Sequence, residues 1–83
     1  MTYDIHVNGH QILIWFSAWT GKERVSYDGR VVSDKRSFMF ETIHSFEAVE
    51  SGQRAVYEVI VKTNLFGYGY IVRRNGIIQS HKP

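Results

Sequence analysis

Glycine in the second place of a small polar pair punctuates this chain at short intervals: Asn8-Gly9, Thr20-Gly21, Asp28-Gly29, Ser51-Gly52 and Asn75-Gly76. Each pair supplies the positive φ that a tight reversal needs. Asn-Gly and Asp-Gly between apolar runs are the strongest short-range hairpin signals a sequence carries. The runs between the pairs are rich in Val, Ile, Tyr, Phe and Thr, which suit a pleated, half-buried surface. No segment keeps a helical apolar period. Glu41 to Ala55 comes nearest, with Phe46, Val49 and Gln53 on one stripe, and Ser51-Gly52 cuts it short.

The punctuation predicts strands over Tyr3–Val7, Gln11–Ala18, Glu23–Tyr27, Arg30–Ser33, Ser37–Glu50, Arg54–Thr63, Gly67–Arg74 and Ile77–His81. The long fifth run is expected to break near Ile43, because Phe38, Phe40, Phe46 and Ala48 share one parity and Ile43 falls on the other. In the sixth run Tyr57, Val59 and Val61 make one wholly apolar face, against a mixed face of Val56, Glu58, Ile60 and Lys62. The expected fold class is therefore all-β: an antiparallel β-sandwich of seven or eight strands with short hairpin turns and no significant helix. At 83 residues the chain has room for one such domain, spanning 1–83, and no linker or repeat interrupts it.

Composition excludes several function classes. With no cysteine there is no disulfide scaffold, thiolate metal site or thiol nucleophile. The longest apolar run, Ile12 to Phe16, is far short of the ~20 residues of a helical membrane span. The opening Met-Thr-Tyr-Asp carries no export signal, so a cytoplasmic location is expected and no membrane partner. The net charge of +2 and pI of 9.1 hide an uneven distribution. Residues 41–58 are acidic through Glu41, Glu47, Glu50 and Glu58 against Arg54, and residues 62–83 are basic through Lys62, Arg73, Arg74 and Lys82. That is sparser than the basic stripe of most nucleic-acid binders.

Residues able to do chemistry are present without the spacing that chemistry needs. His6 and His10 flank the Asn8-Gly9 turn, with Asp4 on the parity of His6, but a His-x3-His spacing across a turn is no metal signature. The four histidines, His44 and His81 included, read as surface residues. The glutamates read as solvated strand positions rather than an acid–base pair. Without a Gly-x-Ser-x-Gly elbow, a phosphate-binding loop or a dinucleotide fingerprint, the expectation is a non-enzyme with no catalytic residue, metal or cofactor.

Two aromatic features remain. In Ile12-Leu13-Ile14-Trp15-Phe16, alternation sets Ile12, Ile14 and Phe16 on one face and Leu13 and Trp15 on the other, with Trp19 following. A strand apolar on both faces predicts a second contact, filled by a loop of the same molecule, a protein partner or a second copy. Exposed Trp is a natural interface anchor. The second feature, Phe66-Gly67-Tyr68-Gly69-Tyr70-Ile71-Val72-Arg73, is similar to the RNP1 pattern of RNA-recognition motifs and cold-shock domains. There, alternate aromatics on one strand stack bases. Here Phe66 takes the first basic position and Arg73 the last aromatic one, and no helices accompany the motif.

The stretch Thr20-Gly21-Lys22-Glu23-Arg24-Val25-Ser26-Tyr27-Asp28-Gly29-Arg30, running on to Ser37-Phe38-Met39-Phe40, resembles the Fas apoptotic inhibitory molecule (FAIM) family. The shared pattern is Gly-Lys, a short strand, Asp-Gly with a basic residue, then a basic–aromatic–Met-Phe segment. Tyr57 to Ile78, with its glycine–aromatic strand and Asn75-Gly76 hairpin, is similar to the end of the same domain. The resemblance covers about two-thirds of the sequence. It implies two antiparallel sheets in a compact sandwich, no catalytic centre, and regulation through protein contacts.

The resulting expectation is a non-catalytic protein-interaction module that binds a protein partner or forms a homodimer. Its candidate surface is Leu13, Trp15 and Trp19, joined by Phe66 and Tyr68. The alternative is single-stranded nucleic-acid binding through Tyr68, Tyr70, Arg73 and Arg74.

Overall fold

A computed structural model describes residues 1–37, 40–64 and 67–83, with residue 64 described by its backbone. Eight strands follow one another: β1 (Thr2–Val7), β2 (His10–Phe16), β3 (Lys22–Tyr27), β4 (Arg30–Arg36), β5 (Glu41–Glu50), β6 (Gln53–Asn64), β7 (Gly67–Arg74) and β8 (Ile77–Lys82). Among the described residues there is no helix, and hence none long and apolar enough to cross a membrane. The all-β antiparallel class read from the sequence is what the protein adopts. It divides into two compact units, Met1–Phe38 and Met39–Pro83, each holding one four-stranded sheet in sequential order, β1-β2-β3-β4 and β5-β6-β7-β8.

The turns form where the polar–glycine pairs stand. Asn8, Asp28, Ser51 and Asn75 take φ between 48° and 56°, and the glycine after each is also at positive φ. Two successive left-handed residues are the type I′ geometry that matches strand twist. In both sheets the last hairpin carries a β-bulge close to its turn. Val25 pairs Ser33 and Ser26 pairs Val31, leaving Val32 over; Val72 pairs Ser80 and Arg73 pairs Ile78, leaving Gln79 over.

The same two hairpins share a second device. The register of β2 and β3 sets Gln11 opposite Asp28, and that of β6 and β7 sets Val56 opposite Asn75. In each case the turn residue donates its own N–H to the facing carbonyl at 2.8 Å. Its left-handed backbone turns its carbonyl away, so the side chain supplies the missing acceptor. Asp28 Oδ1 accepts from Gln11 N–H at 2.8 Å, and Asn75 Oδ1 accepts from Val56 N–H at 2.9 Å. An Asx side chain thereby adds one rung to each ladder, the local backbone bonding for which these residues are favoured in turns.

In the first sheet the buried face carries Ile5, Val7, Ile12, Ile14, Phe16 and Val25. In the second it carries Phe46, Ala55, Tyr57, Val59, Val61 and Val72. Tyr57 is fully buried and stacks on Phe46, ring centroids 4.9 Å apart. The fifth run departs from its expected break: β5 pairs with β6 from Glu41 to Glu50 without a register shift. Ile43 does not bend the strand; it faces the exposed side, 45% accessible, while Thr42 and His44 take the buried side. Polarity is inverted toward both ends of this edge strand, around Ile43 and around Val49, which is why hydropathy suggested a bend. The fourth run extends beyond Ser33 to Arg36, because an edge strand tolerates charged side chains on both faces.

Candidate functional site

The exposed face of the first sheet is built from the second parity of its strands. Thr2, Trp15, Arg24 and Asp34 stand side by side across the four strands. The next row is Asp4, Leu13 and Ser26, and the one after it His6, Gln11 and Asp28. Leu13 and Trp15 lie on the face opposite Ile12, Ile14 and Phe16, as alternation requires.

Trp15 is neither buried nor bare. It is 36% exposed, and the Arg24 guanidinium lies over its ring, 5.6 Å from the centroid. Arg24 is held there by Asp34, whose Oδ2 accepts from Nη2 at 3.2 Å. The result is an indole, a cation and a carboxylate in one row, the ring and guanidinium in cation–π contact. Sequence reading picked out Trp15 and missed Arg24 and Asp34. The Asp28-Gly29 hairpin sets Arg24 opposite Asp34, but what sets Arg24 beside Trp15 is the pairing of β2 with β3 across the loop that follows Phe16. Leu13 is half-buried between Asp4 and Ser26. Trp19 sits in the loop between β2 and β3, 96% exposed. That loop is closed by Gly21 N–H to the Ser17 carbonyl at 3.0 Å and Ser17 N–H to the Lys22 carbonyl at 2.9 Å.

The formal charges on this face differ between its ends. Lys22, Arg24 and Arg36 outnumber Asp34 at the Trp15 end, with Lys22 directly opposite Arg36. Asp4 and Asp28 lie toward the other end. Asp4 accepts from Gln11 Nε2 at 3.2 Å and meets His6 Nε2 at 3.3 Å. Asp28 Oδ2 contacts His10 Nδ1 at 2.7 Å, and His10 stacks on Tyr27. Hydrogen bonding to His10, then to the Gln11 amide, holds the Asp28 carboxyl below its ordinary range. His6 and His10 thus engage different carboxylates. Among the described residues no three His, Asp or Glu side chains converge in a way that would hold a metal.

Of the remaining expected site residues, Phe66 lies outside the described residues, and Tyr68 belongs to the second sheet. In β7 the register pairs Tyr68 with Thr63, Tyr70 with Val61 and Arg74 with Tyr57, all on the parity of buried Val72. Both tyrosines are half-buried, and the Tyr70 hydroxyl meets Ser80 Oγ at 3.2 Å. Arg73 falls on the opposite face, paired across from Glu58. The two arginines of the expected nucleic-acid set are therefore not brought together.

Arg74 has another engagement. Its Nε donates to Glu50 Oε1 at 2.8 Å, and the Tyr57 hydroxyl donates to Oε2 of the same carboxylate. Glu50, expected at a solvated position, is 5% exposed. Burial first, then the bond to Glu50, pushes the Tyr57 phenol up to about 12. The same carboxylate raises the Arg74 guanidinium above its ordinary value. His44, expected at the surface, is also fully buried. Alternation from Phe46 places both His44 and Glu50 inward, a signal outweighed by their polarity.

No family model, curated protein or solved structure matches this sequence.

Proposed function

We propose that this protein is a non-catalytic protein-interaction module of the FAIM type, acting in the cytoplasm, and that its exposed first-sheet face pairs with a second copy. The observation that carries the reading is the Trp15–Arg24–Asp34 row: an indole kept partly open, with its cation held in place by a neighbouring strand. Trp and Arg are the residues that most often anchor protein interfaces, and ordering them before contact reduces the cost of binding.

A second copy is favoured over an unrelated partner by the charge on the face. A two-fold interface must be self-complementary. Here the Trp15 end is net positive, with Lys22, Arg24 and Arg36 against Asp34, and the anions Asp4 and Asp28 stand toward the other end. Inverting one copy over another sets the cationic end of each against the acidic end of its mate. Leu13 then falls near the middle, with the tryptophans flanking it. Against nucleic acid stand the parity of Tyr68 and Tyr70 with buried Val72 and the commitment of Arg74 to Glu50.

Light scattering over a concentration series tests the proposal. The expected result is a dimer that weakens in high salt, as complementary charges require, and that Trp15→Ala or Trp19→Ala dissociates while circular dichroism stays unchanged. A protein monomeric at every concentration in low salt overturns it. So does a dimer indifferent to both substitutions.

A further inference from the structure

The four tight turns are not chemically equivalent, and the strand order explains why. Asp28 follows β3, whose other neighbour is β2; Asn75 follows β7, whose other neighbour is β6. Each therefore finds a facing strand with an amide to bond. Asn8 follows β1 and Ser51 follows β5, and these are the edge strands of their sheets. Among the described residues of each sheet, no further strand lies beside them to take up the turn residue's side chain.

Two of these turns are Asn-Gly, the dipeptide in which the asparagine amide is most open to attack by the next backbone nitrogen, since glycine has no Cβ to obstruct it. In that reaction the Gly nitrogen bonds to the Asn Cγ and the bond from Cγ to Nδ2 breaks. Ammonia leaves, and a cyclic succinimide remains. Water then opens the ring at either carbonyl, giving aspartate or its backbone-lengthened isomer, isoaspartate. The ring closes only if Cγ is free to swing onto the nitrogen.

At Asn75 that swing is opposed by the rung it forms, Oδ1 on the Val56 N–H at 2.9 Å. Asn8 is exposed and at nearly the same backbone angle, φ 56° against 51°. The difference between them lies in the side-group bonding. We infer that Asn8 is a site of spontaneous deamidation in this protein, and that the second Asn-Gly, at Asn75, is protected by its place beside an interior strand. The product at Asn8 matters locally. Isoaspartate adds a backbone carbon to a two-residue turn, and the strand it loosens, β1, contributes buried Ile5 and Val7.

The test is peptide mapping by mass spectrometry, with chromatography that separates Asn, Asp and isoaspartate, after incubation of the whole protein in mildly alkaline buffer. The same incubation in concentrated urea sets the intrinsic rates. In the folded protein Asn8 is expected to convert at least about fivefold faster than Asn75, the factor set by one ordinary hydrogen bond that must break first. In urea the two rates should converge. Equal rates in the folded protein overturn the inference, as does an excess at Asn8 that persists unchanged in urea.

Discussion

Glu50 joins three strands through one buried carboxylate, so its removal should be costly in a way that depends on what is left behind. Tyr57→Phe deletes the hydrogen bond to the charged Glu50 acceptor, worth roughly 1.5–3 kcal/mol, and with it the hydroxyl beside Arg74, while Arg74 still bonds the carboxylate. Glu50→Ala is worse. It leaves a buried phenol and a half-buried guanidinium without their shared acceptor, at a cost of about 3–5 kcal/mol. A domain of this size has a total stability of roughly 4–12 kcal/mol, so the Ala variant stands near the limit of folding. The Phe variant should lower Tm by about 8–16 °C. Replacing all three with apolar groups of similar volume, Glu50→Leu, Tyr57→Phe and Arg74→Met together, removes the stranded charges as well as the bonds. It should return stability to within about 1 kcal/mol of the parent. Urea unfolding followed by circular dichroism reads all three. A Tyr57→Phe loss below about 0.5 kcal/mol, smaller than an ordinary hydrogen bond, would refute the reasoning. A triple variant no more stable than Glu50→Ala would do the same. The alkaline limb gives an independent check. The folded phenol titrates at about 12 against 10.0 for the free side group. Its contribution is intact below pH 10 and is lost as pH climbs toward 12, a loss that Tyr57→Phe should not show.

Three further outcomes concern the turns and Gly69. Asn75→Ala should cost about 1–2 kcal/mol and Asp28→Ala should lower stability in the same direction, since each loses a ladder rung and places Ala at positive φ. Urea midpoints read both, and a cost near zero at either position would remove the rung from the account. Asp28→Asn should keep the Gln11 rung; in the parent, the stability tied to the lowered Asp28 pKa is present at neutral pH and lost as pH falls through that lowered value, and the Asn variant should lack this acid-side loss. Gly69→Ala drives a Cβ into the Lys82 carbonyl and to 2.9 Å from the Pro83 carbonyl carbon. Amide exchange should then rise along β8 while β5–β6 stays protected; unchanged exchange in β8 would refute the close approach.

Four of the hairpins were legible because each turns on two adjacent residues, a polar one and the glycine after it. Where Asn8-Gly9 or Asp28-Gly29 stands, the turn and its register follow locally, and with them the opposite facing of Ile14 and Trp15. The faces of β6 were equally plain, since Tyr57, Val59 and Val61 alternate without exception. β5 was not, because Thr42, His44 and Glu50 occupy its buried side and Ile43 and Val49 its exposed one. What makes the buried carboxylate tolerable lies on other strands: the Glu50 partners are 7 and 24 residues away. The placing of Arg24 beside Trp15 likewise rests on the pairing of two neighbouring strands. Alternation alone does separate Arg73 from Arg74, and it decides against reading them as one basic site.

The sequential order of the strands also bears on how the polypeptide reaches this structure. Among the described residues every pairing joins a strand to its immediate successor, so none waits for a distant segment to arrive. Loop closure is then never longer than one hairpin connection, the condition under which β proteins fold fastest for their class. During synthesis the whole of β1–β4 can pair before Glu41 has left the ribosome. An edge strand at either end of that sheet then offers unpaired backbone groups to anything nearby while later strands are still being made, another copy of itself included.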